Sequence, residues 1–337
     1  MLDLSRAQIL AFRRGAGALD RRLAPGPDSL RRAAWAGLQD SMPRAALLSI
    51  HARVEGTGPS TWEDPSLVQL WGPRYNAYMV AGRDLALFSI GIHPDDEKGR
   101  RRAEERAALL RASLDGTRMD ATEAARPLGV HPNSFRYAAT TGTVLIRWDG
   151  ARRPTVWTVP PPEADPREAR LELARRYLHV AGPATPASFG WWSGLGAGAA
   201  AAVFEALDKE LAPVRTPIGE AWILAGDEPA FRAASGPAAP ARLLPSGDVF
   251  LLFQDPDREL LVPDAARRRA LWTPRVWPGG VLVDGEVVGT WRRDGAALTV
   301  QPWTRLSAAG REAVEREAAA LPLPGVRGPI SVRWDGV

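Results

Sequence analysis

The sequence predicts an α+β protein: three tandem units, each of three helices and a β-hairpin, followed by a small C-terminal antiparallel β-barrel. Three observations predict it. Helix starts recur with their capping residues, Gly-marked hairpins follow two of the helical stretches, and the texture turns to short strands after about residue 227.

The third unit is the clearest. Asp165-Pro166 followed by Glu168 reads as an N-cap, a proline at the first helical position and an acidic first turn. Leu173, Tyr177 and Val180 then share one face at helical spacing, until Ala181-Gly182-Pro183 stops the run. Thr185-Pro186 opens a short second helix through Trp192, and a third is expected over 197–211. Extended segments at 214–216 and 221–224 flank Pro217-Ile218-Gly219. That layout is a winged helix, a helix-turn-helix variant. The second unit repeats it, with helices over 95–114, from Asp120 to about Gly129, and over 132–139. Strands at 143–148 and 155–159 follow around Asp149-Gly150. In the first unit helices are expected over 5–14, 29–38, 44–54 and 64–71, with strands 77–80 and 85–90 paired across Gly82-Arg83-Asp84. The implied domains are 1–93, 94–163, 164–226 and 227–337. The last has a linker at 234–241, strands at 248–253, 281–283, 286–291 and 297–301, a helix over 307–320 and a strand at 330–334.

Composition narrows the chemistry. There are 337 residues, 45% hydrophobic and 24% charged, with 43 Lys+Arg against 39 Asp+Glu, an ordinary globular balance. No cysteine is present, which removes disulfides, thiolate zinc sites, Fe–S clusters and thiol catalysis. The four histidines are scattered and form no HExxH pair, so neither metal nor organic cofactor is expected. The N-terminal stretch is neither a signal nor a transit peptide, and no run reaches the ~18 apolar residues of a membrane span. A cytoplasmic, nucleoid-associated location follows as an expectation. All but two basic residues are arginine, a bias that a GC-rich genome also produces.

Three winged helices with arginines at a hairpin tip (Arg152 and Arg153) favour DNA over protein docking. Arg100-Arg101-Arg102 sits among Glu104 and Glu105 and reads as a solvated i,i+4 network. Arg267-Arg268-Arg269 has fewer acidic neighbours and is a candidate phosphate contact. The helix over 197–211 is mostly alanine, with Glu205, Asp208 and Glu210 among its polar residues. Such a face suits a scaffold better than base reading. Trp191-Trp192 reads as a core anchor. No phosphate loop, dinucleotide fingerprint, GxSxG elbow or kinase signature is found.

Several segments, in order and spacing together, carry a resemblance. They are Gly37-Leu38-Gln39-Asp40-Ser41 with Pro43-Arg44-Ala45-Ala46-Leu47, then Asp84-Leu85-Ala86-Leu87-Phe88 and residues 173–192. Leu243-Leu244-Pro245-Ser246-Gly247-Asp248, Glu259-Leu260-Leu261-Val262-Pro263-Asp264 and the run 281–291 complete the set. The sequence resembles the bacterial winged-helix DNA glycosylases of the AlkZ/YcaQ type, which unhook alkylation crosslinks. The resemblance implies three winged helices and a β-barrel curved around double-stranded DNA, a protein acting as a monomer, and excision of N7-alkylated or crosslinked guanine by water. The family's catalytic signature is Gln-x-Gln or Gln-x-Asp. Here it reads Gln39-Asp40-Ser41, keeping the first glutamine and departing at the second position. Gln39 and Ser41 are the implied catalytic pair, with Asp40 a third candidate. In an extended strand Asp40 would point away from them, in a helix it would lie beside Gln39 and could take part, and the plainer reading of it is a helix cap or a salt bridge to Arg44. Arg44, Arg152, Arg153 and Arg267 to Arg269 are the candidate DNA contacts. The alternative is a winged-helix protein that binds alkylated DNA or regulates transcription without catalysis.

Overall fold

A computed structural model describes residues 1–150, 153–233, 238–326 and 328–336. The chain is α+β, and its strands form three sheets. A six-stranded sheet runs in the order Leu38–Gln39, Ala77–Ala81, Leu67–Trp71, Val144–Arg147, Thr155–Thr158, Met119–Asp120. Its central junction, Gln69 against Ile146, joins the hairpin of the first unit edge to edge with that of the second. A three-stranded sheet sets Leu2–Asp3 parallel to Leu211–Thr216, which pairs with Gly219–Leu224. The start of the chain thereby closes on the third unit.

The helices of the second and third units follow their caps. Asp96, Asp120 and Asp165 accept from the first-turn amides of Glu97–Leu114, Ala121–Ala125 and Pro166–Ala181. Thr185 and Ser188 form a capping box on Pro186–Ser193. Tyr177 stacks on Trp192 with ring centroids 4.8 Å apart, and both are fully buried, which fixes Pro166–Ala181 against Pro186–Ser193. The alanine helix is shorter than expected, Ala197–Ala206. Leu211 turns into the strand instead, because its backbone pairs with Leu224.

The first unit departs furthest from its sequence pattern. Residues 64–71 form a strand, Leu67–Trp71, rather than a helix. Asp64 accepts from the Ser66 amide and hydroxyl, turning the chain, and Val68, Leu70 and Trp71 then pair with Ala77–Ala81. Residues 85–90, read as a strand, are the helix Leu85–Ser89, because the single turn Gly82–Asp84 runs straight into it. A short apolar run carries no period to separate the two states. The helix expected over 29–38 ends at Ala33. Gly37, at φ +70°, turns the chain into Leu38–Gln39, and a Cβ there would stand 2.8 Å from Phe88 and 2.9 Å from Tyr78.

The C-terminal sheet is open, which corrects the expected barrel. It runs Ala241–Leu244, Gly279–Val283, Glu286–Asp294, Ala297–Pro302, Ser331–Trp334, with the last strand parallel to its neighbour, and among the described residues the two edge strands do not pair. The helix Ala308–Ala319 covers one face through Val314 and Ala318. Residues 248–253 form no strand. They make buried turns, with Asp248 accepting from the Phe250 amide, and an all-apolar run can be buried this way as readily as in a sheet. The helices Asp257–Leu261 and Ala265–Leu271 follow. No helix among the described residues is long and apolar enough to cross a membrane.

Candidate active site

The triplet Gln39-Asp40-Ser41 lies on the edge of the six-stranded sheet. Leu38 pairs with Met79 and Gln39 with Tyr78, and the Asp40 amide donates to the Ala77 carbonyl at 2.7 Å. Extended backbone sends alternate side chains to opposite faces. Gln39 and Ser41 are half-buried, whereas Asp40 points inward and is 1% exposed.

Asp40 is tied down by neutral donors. Its Oδ1 accepts the Ala46 amide at 2.9 Å, capping the first turn of Ala45–Arg53, while Oδ2 accepts Trp62 Nε1 at 3.0 Å and Gln69 Nε2 at 2.7 Å. Burial raises the pKa of this carboxyl, and these hydrogen bonds with the nearby charge of Arg44 offset that only in part. Of the two roles foreseen for an inward-pointing Asp40, the helix cap is the one formed. Arg44 instead lies over the Trp62 ring at 3.7 Å, in a left-handed conformation with φ +63°. Arg147 lies over the same indole at 4.3 Å.

Gln39 and Ser41 are the reverse case. Gln39 Oε1 and Ser41 Oγ are buried atoms without a hydrogen-bond partner. Buried polar atoms are nearly always paired, so two unmet oxygens within three residues are the pattern of a site awaiting a polar ligand. The Gln39 amide lies beside the turn at Gly247, where φ is +80° and a Cβ would stand 3.3 Å from Gln39 Cδ. That turn is anchored by the next residue. Asp248 takes two hydrogen bonds from Arg53, both at 2.7 Å, and one from Ser49 Oγ at 2.6 Å, in a fully buried ion pair. The helix capped by Asp40 thus also holds the turn beside Gln39.

On its other side, Ser41 lines a cavity of about 550 Å³ between the first two units. Gln69 ties this wall to the triplet, since it also accepts the Trp148 amide at 2.6 Å and donates to the Trp148 carbonyl at 3.2 Å. Gly150, at φ +84°, lets the second hairpin press on Pro43, which a Cβ there would approach to 2.4 Å. Arg153 also lines the cavity, so two residues singled out from sequence meet there; Arg152 lies outside the described residues. The third cluster does not reach it. Arg268 is spent on the Val262 and Pro263 carbonyls, at 3.0 and 2.6 Å, and on Glu259; Arg267 lies over Trp303, and Arg269 is exposed. Sequence reasoning missed Asn76, Asn133, Arg136, Trp71 and Trp148. The Asp149-Gly150 turn signal pointed to the hairpin, but which residues would face Ser41 depends on how the two hairpins join.

The AlkZ-like DNA glycosylase family matches residues 32–322. A protein of Streptomyces sahachiroi described as an interstrand DNA cross-link repair glycosylase is 32% identical over 162 residues, 46% of this chain. The match spans only 42% of that relative's length. The structure of the Streptomyces sahachiroi DNA glycosylase AlkZ superposes with a TM-score of 0.80 at 21% identity, covering 99% of this chain and 100% of that one, a likeness of fold.

Proposed function

Because the chain belongs to the AlkZ-like DNA glycosylase family, we propose that it binds double-stranded DNA as a monomer in the cytoplasm and hydrolyses the N-glycosidic bond of N7-alkylated or crosslinked guanine. Residues 1–93, 94–163 and 164–226 are read as its winged helices, with 227–337 as the C-terminal β-domain. The observation that carries the proposal is that two signature positions, Gln39 and Ser41, each hold a buried side-chain oxygen with no hydrogen-bond partner, Oε1 and Oγ.

Alkylation at N7 leaves guanine cationic, so its bond to C1′ is already weak. As that bond breaks, its electron pair neutralises the base and the sugar takes on positive charge. A water accepted by Gln39 Oε1 and held by Ser41 Oγ is then placed to attack C1′, losing its proton to solvent. Asp40 does not reach the sugar. Its carboxyl lies beneath the triplet, held by neutral donors, and in its ionised form stabilises the positive sugar through space. Arg44, Arg153, Arg267 and Arg269 are assigned to the phosphates, where each contact adds to the salt dependence of binding, while Arg268 stays with its carbonyls and Glu259.

One observation favours binding without catalysis: the hydroxyl of Ser41 is a weaker water-activating group than the amide or carboxylate of the family signature. Incubation with duplex containing N7-methylguanine, followed by assay of free base, decides between the readings. Release is expected from the wild type and should fall about 100-fold in Gln39→Ala, the scale of losing one transition-state contact. Tight binding without release, or equal release from the variant, overturns the proposal in favour of a binder.

A further inference from the structure

The turn that meets Gln39, Pro245 to Asp248, comes from the C-terminal part of the chain. The Asp248 amide donates to the Pro245 carbonyl at 3.2 Å, closing a turn whose third position, Gly247, holds φ +80°. A positive φ at that position favours glycine. Space asks for glycine as well. The three atoms nearest to a Cβ built at 247, its chain neighbours aside, all belong to Gln39: Cδ at 3.3 Å, Nε2 at 3.5 Å and Cβ at 3.6 Å. The unmet Oε1 is not among them, so the carboxamide is seated on the turn by its nitrogen side with its oxygen turned away.

The turn has no freedom to withdraw from this contact. Leu244, just before it, ends the strand Ala241–Leu244, and its carbonyl accepts Trp291 Nε1 at 2.9 Å. Asp248, the last residue of the turn, is held by Arg53 and Ser49. Gln39 is fixed to the same helix from its other end, because the next residue, Asp40, accepts the Ala46 amide. The helix Ala45–Arg53 therefore sets the spacing between strand residue 39 and the turn.

A glutamine side chain left to itself spreads its oxygen over several rotamers, and its last torsion is broad and roughly two-fold. A group that places a reacting water must be held within about 0.5 Å of the productive geometry. We infer that Gly247 is a positioning residue for Gln39. With no side chain at 247, the carboxamide rests on the backbone of the turn, which aims Oε1 at the water. The C-terminal sheet thereby completes a site otherwise built from the first two units. The inference rests on the glycosylase reading above.

The test compares Gly247→Ala with Gly116→Ala in the full-length protein. Two quantities are measured: single-turnover release of base from N7-methylguanine duplex at saturating enzyme, and affinity for that duplex. Gly116 also holds positive φ, +76°, but a Cβ there meets nothing within 4 Å, so its variant bears the backbone strain alone. A misplacement of 1 Å costs on the order of 100-fold in rate, so a displacement of Gln39 by a few tenths should slow Gly247→Ala about tenfold. Affinity should stay within about threefold of wild type, and Gly116→Ala should match wild type in both measurements. Gln39→Ala carrying Gly247→Ala should release base no more slowly than Gln39→Ala, since a residue that acts through Gln39 then has nothing to act on. A packing defect would instead lower the rate in both backgrounds alike. Should Gly247→Ala fail to fold, Gly247→Asn takes its place with the same expectations, because asparagine tolerates positive φ and still carries a Cβ. Wild-type release from the Gly247 variant, or equal falls in the two backgrounds, overturns the positioning role, and with Gln39→Ala impaired the glycosylase reading stands. A wild type that releases no base, or Gln39→Ala as fast as wild type, removes both.

Discussion

Asp40 and Asp248 are both 1% exposed and lie at opposite ends of the helix Ala45–Arg53, yet they are satisfied in different ways. Asp248 is held by both terminal nitrogens of Arg53 and by Ser49. Asp40 has an amide, an indole and a carboxamide. Asp84, the third buried aspartate on this scaffold, follows Asp248: Arg31 and Arg176 both grip it, tying Pro27–Ala33 to Pro166–Ala181. The paired carboxylates have their charge cancelled locally and act as fasteners. Asp40 is fastened equally well but by neutral donors, beneath the two residues whose polar atoms are unmet. A fold that needed only another clip had arginines within reach, since Arg44 and Arg147 both lie over Trp62.

The largest effect expected from breaking this contrast is at Asp248. Asp248→Ala leaves Arg53 buried and uncompensated, a loss of about 3–5 kcal/mol in urea unfolding. The turn at Gly247 would lose its anchor at the same time. A loss below about 1 kcal/mol would mean that the pair is not a fastener. Asp84 gives the next largest effect, and it is read by pH. Burial alone would push its carboxyl up, but the hydrogen bonds of Arg31 and Arg176 outweigh burial and bring the pKa down to about 2. A folded-state pKa below the unfolded value means stability present above about pH 4 and lost as pH falls toward 2, roughly 2 kcal/mol in all. Asp84→Asn should be less stable than wild type at pH 6, and the two should converge by pH 2. Parallel curves would remove Asp84 as a source of acid sensitivity.

How legible was this in the sequence? Among helices announced by a capping aspartate or threonine, Pro166–Ala181 and Pro186–Ser193 fall within a residue or two of the expected bounds, whereas the one from Asp120 ends at Ala125, short of Gly129. Segments whose state depends on a partner were not. Leu67–Trp71 is a strand because Ala77–Ala81 lies beside it, and residues 248–253 are turns because Asp248 is claimed by Arg53 from across the chain. The site divides likewise. The in-and-out alternation of residues 39 to 41 follows from strand geometry alone, which is why the inward course of Asp40 was readable. That Gln69 would bridge Asp40 to Trp148, and that Asn133 and Arg136 would face Ser41, depends on how two hairpins from separate units meet at Gln69 and Ile146. Local pattern holds no record of that junction.

Asp40→Asn is the smallest perturbation in free energy and the sharpest test of the contrast. The amide preserves size and can still accept hydrogen bonds, but its NH2 must face one of the donors that Asp40 now satisfies. That cost is set against the removed penalty of burying a charge, so stability should change by about 1 kcal/mol or less. Base release, in contrast, should fall about tenfold, because the positive sugar loses a buried carboxylate to which no arginine is hydrogen-bonded among the described residues. The pH dependence separates this from a packing defect. Asp40 has a folded-state pKa raised above the usual 3.8, so its stabilising contribution is present at low pH and is lost as pH rises through the folded value. Its catalytic contribution runs the other way, appearing only as the carboxyl ionises. Wild-type release should therefore decline as pH is lowered through the raised folded-state value, while Asp40→Asn, already neutral, stays level over the same range. If variant and wild type decline together, the charge at Asp40 is as inert as those at Asp84 and Asp248, and the difference between buried carboxylates is one of hydrogen-bond partners alone.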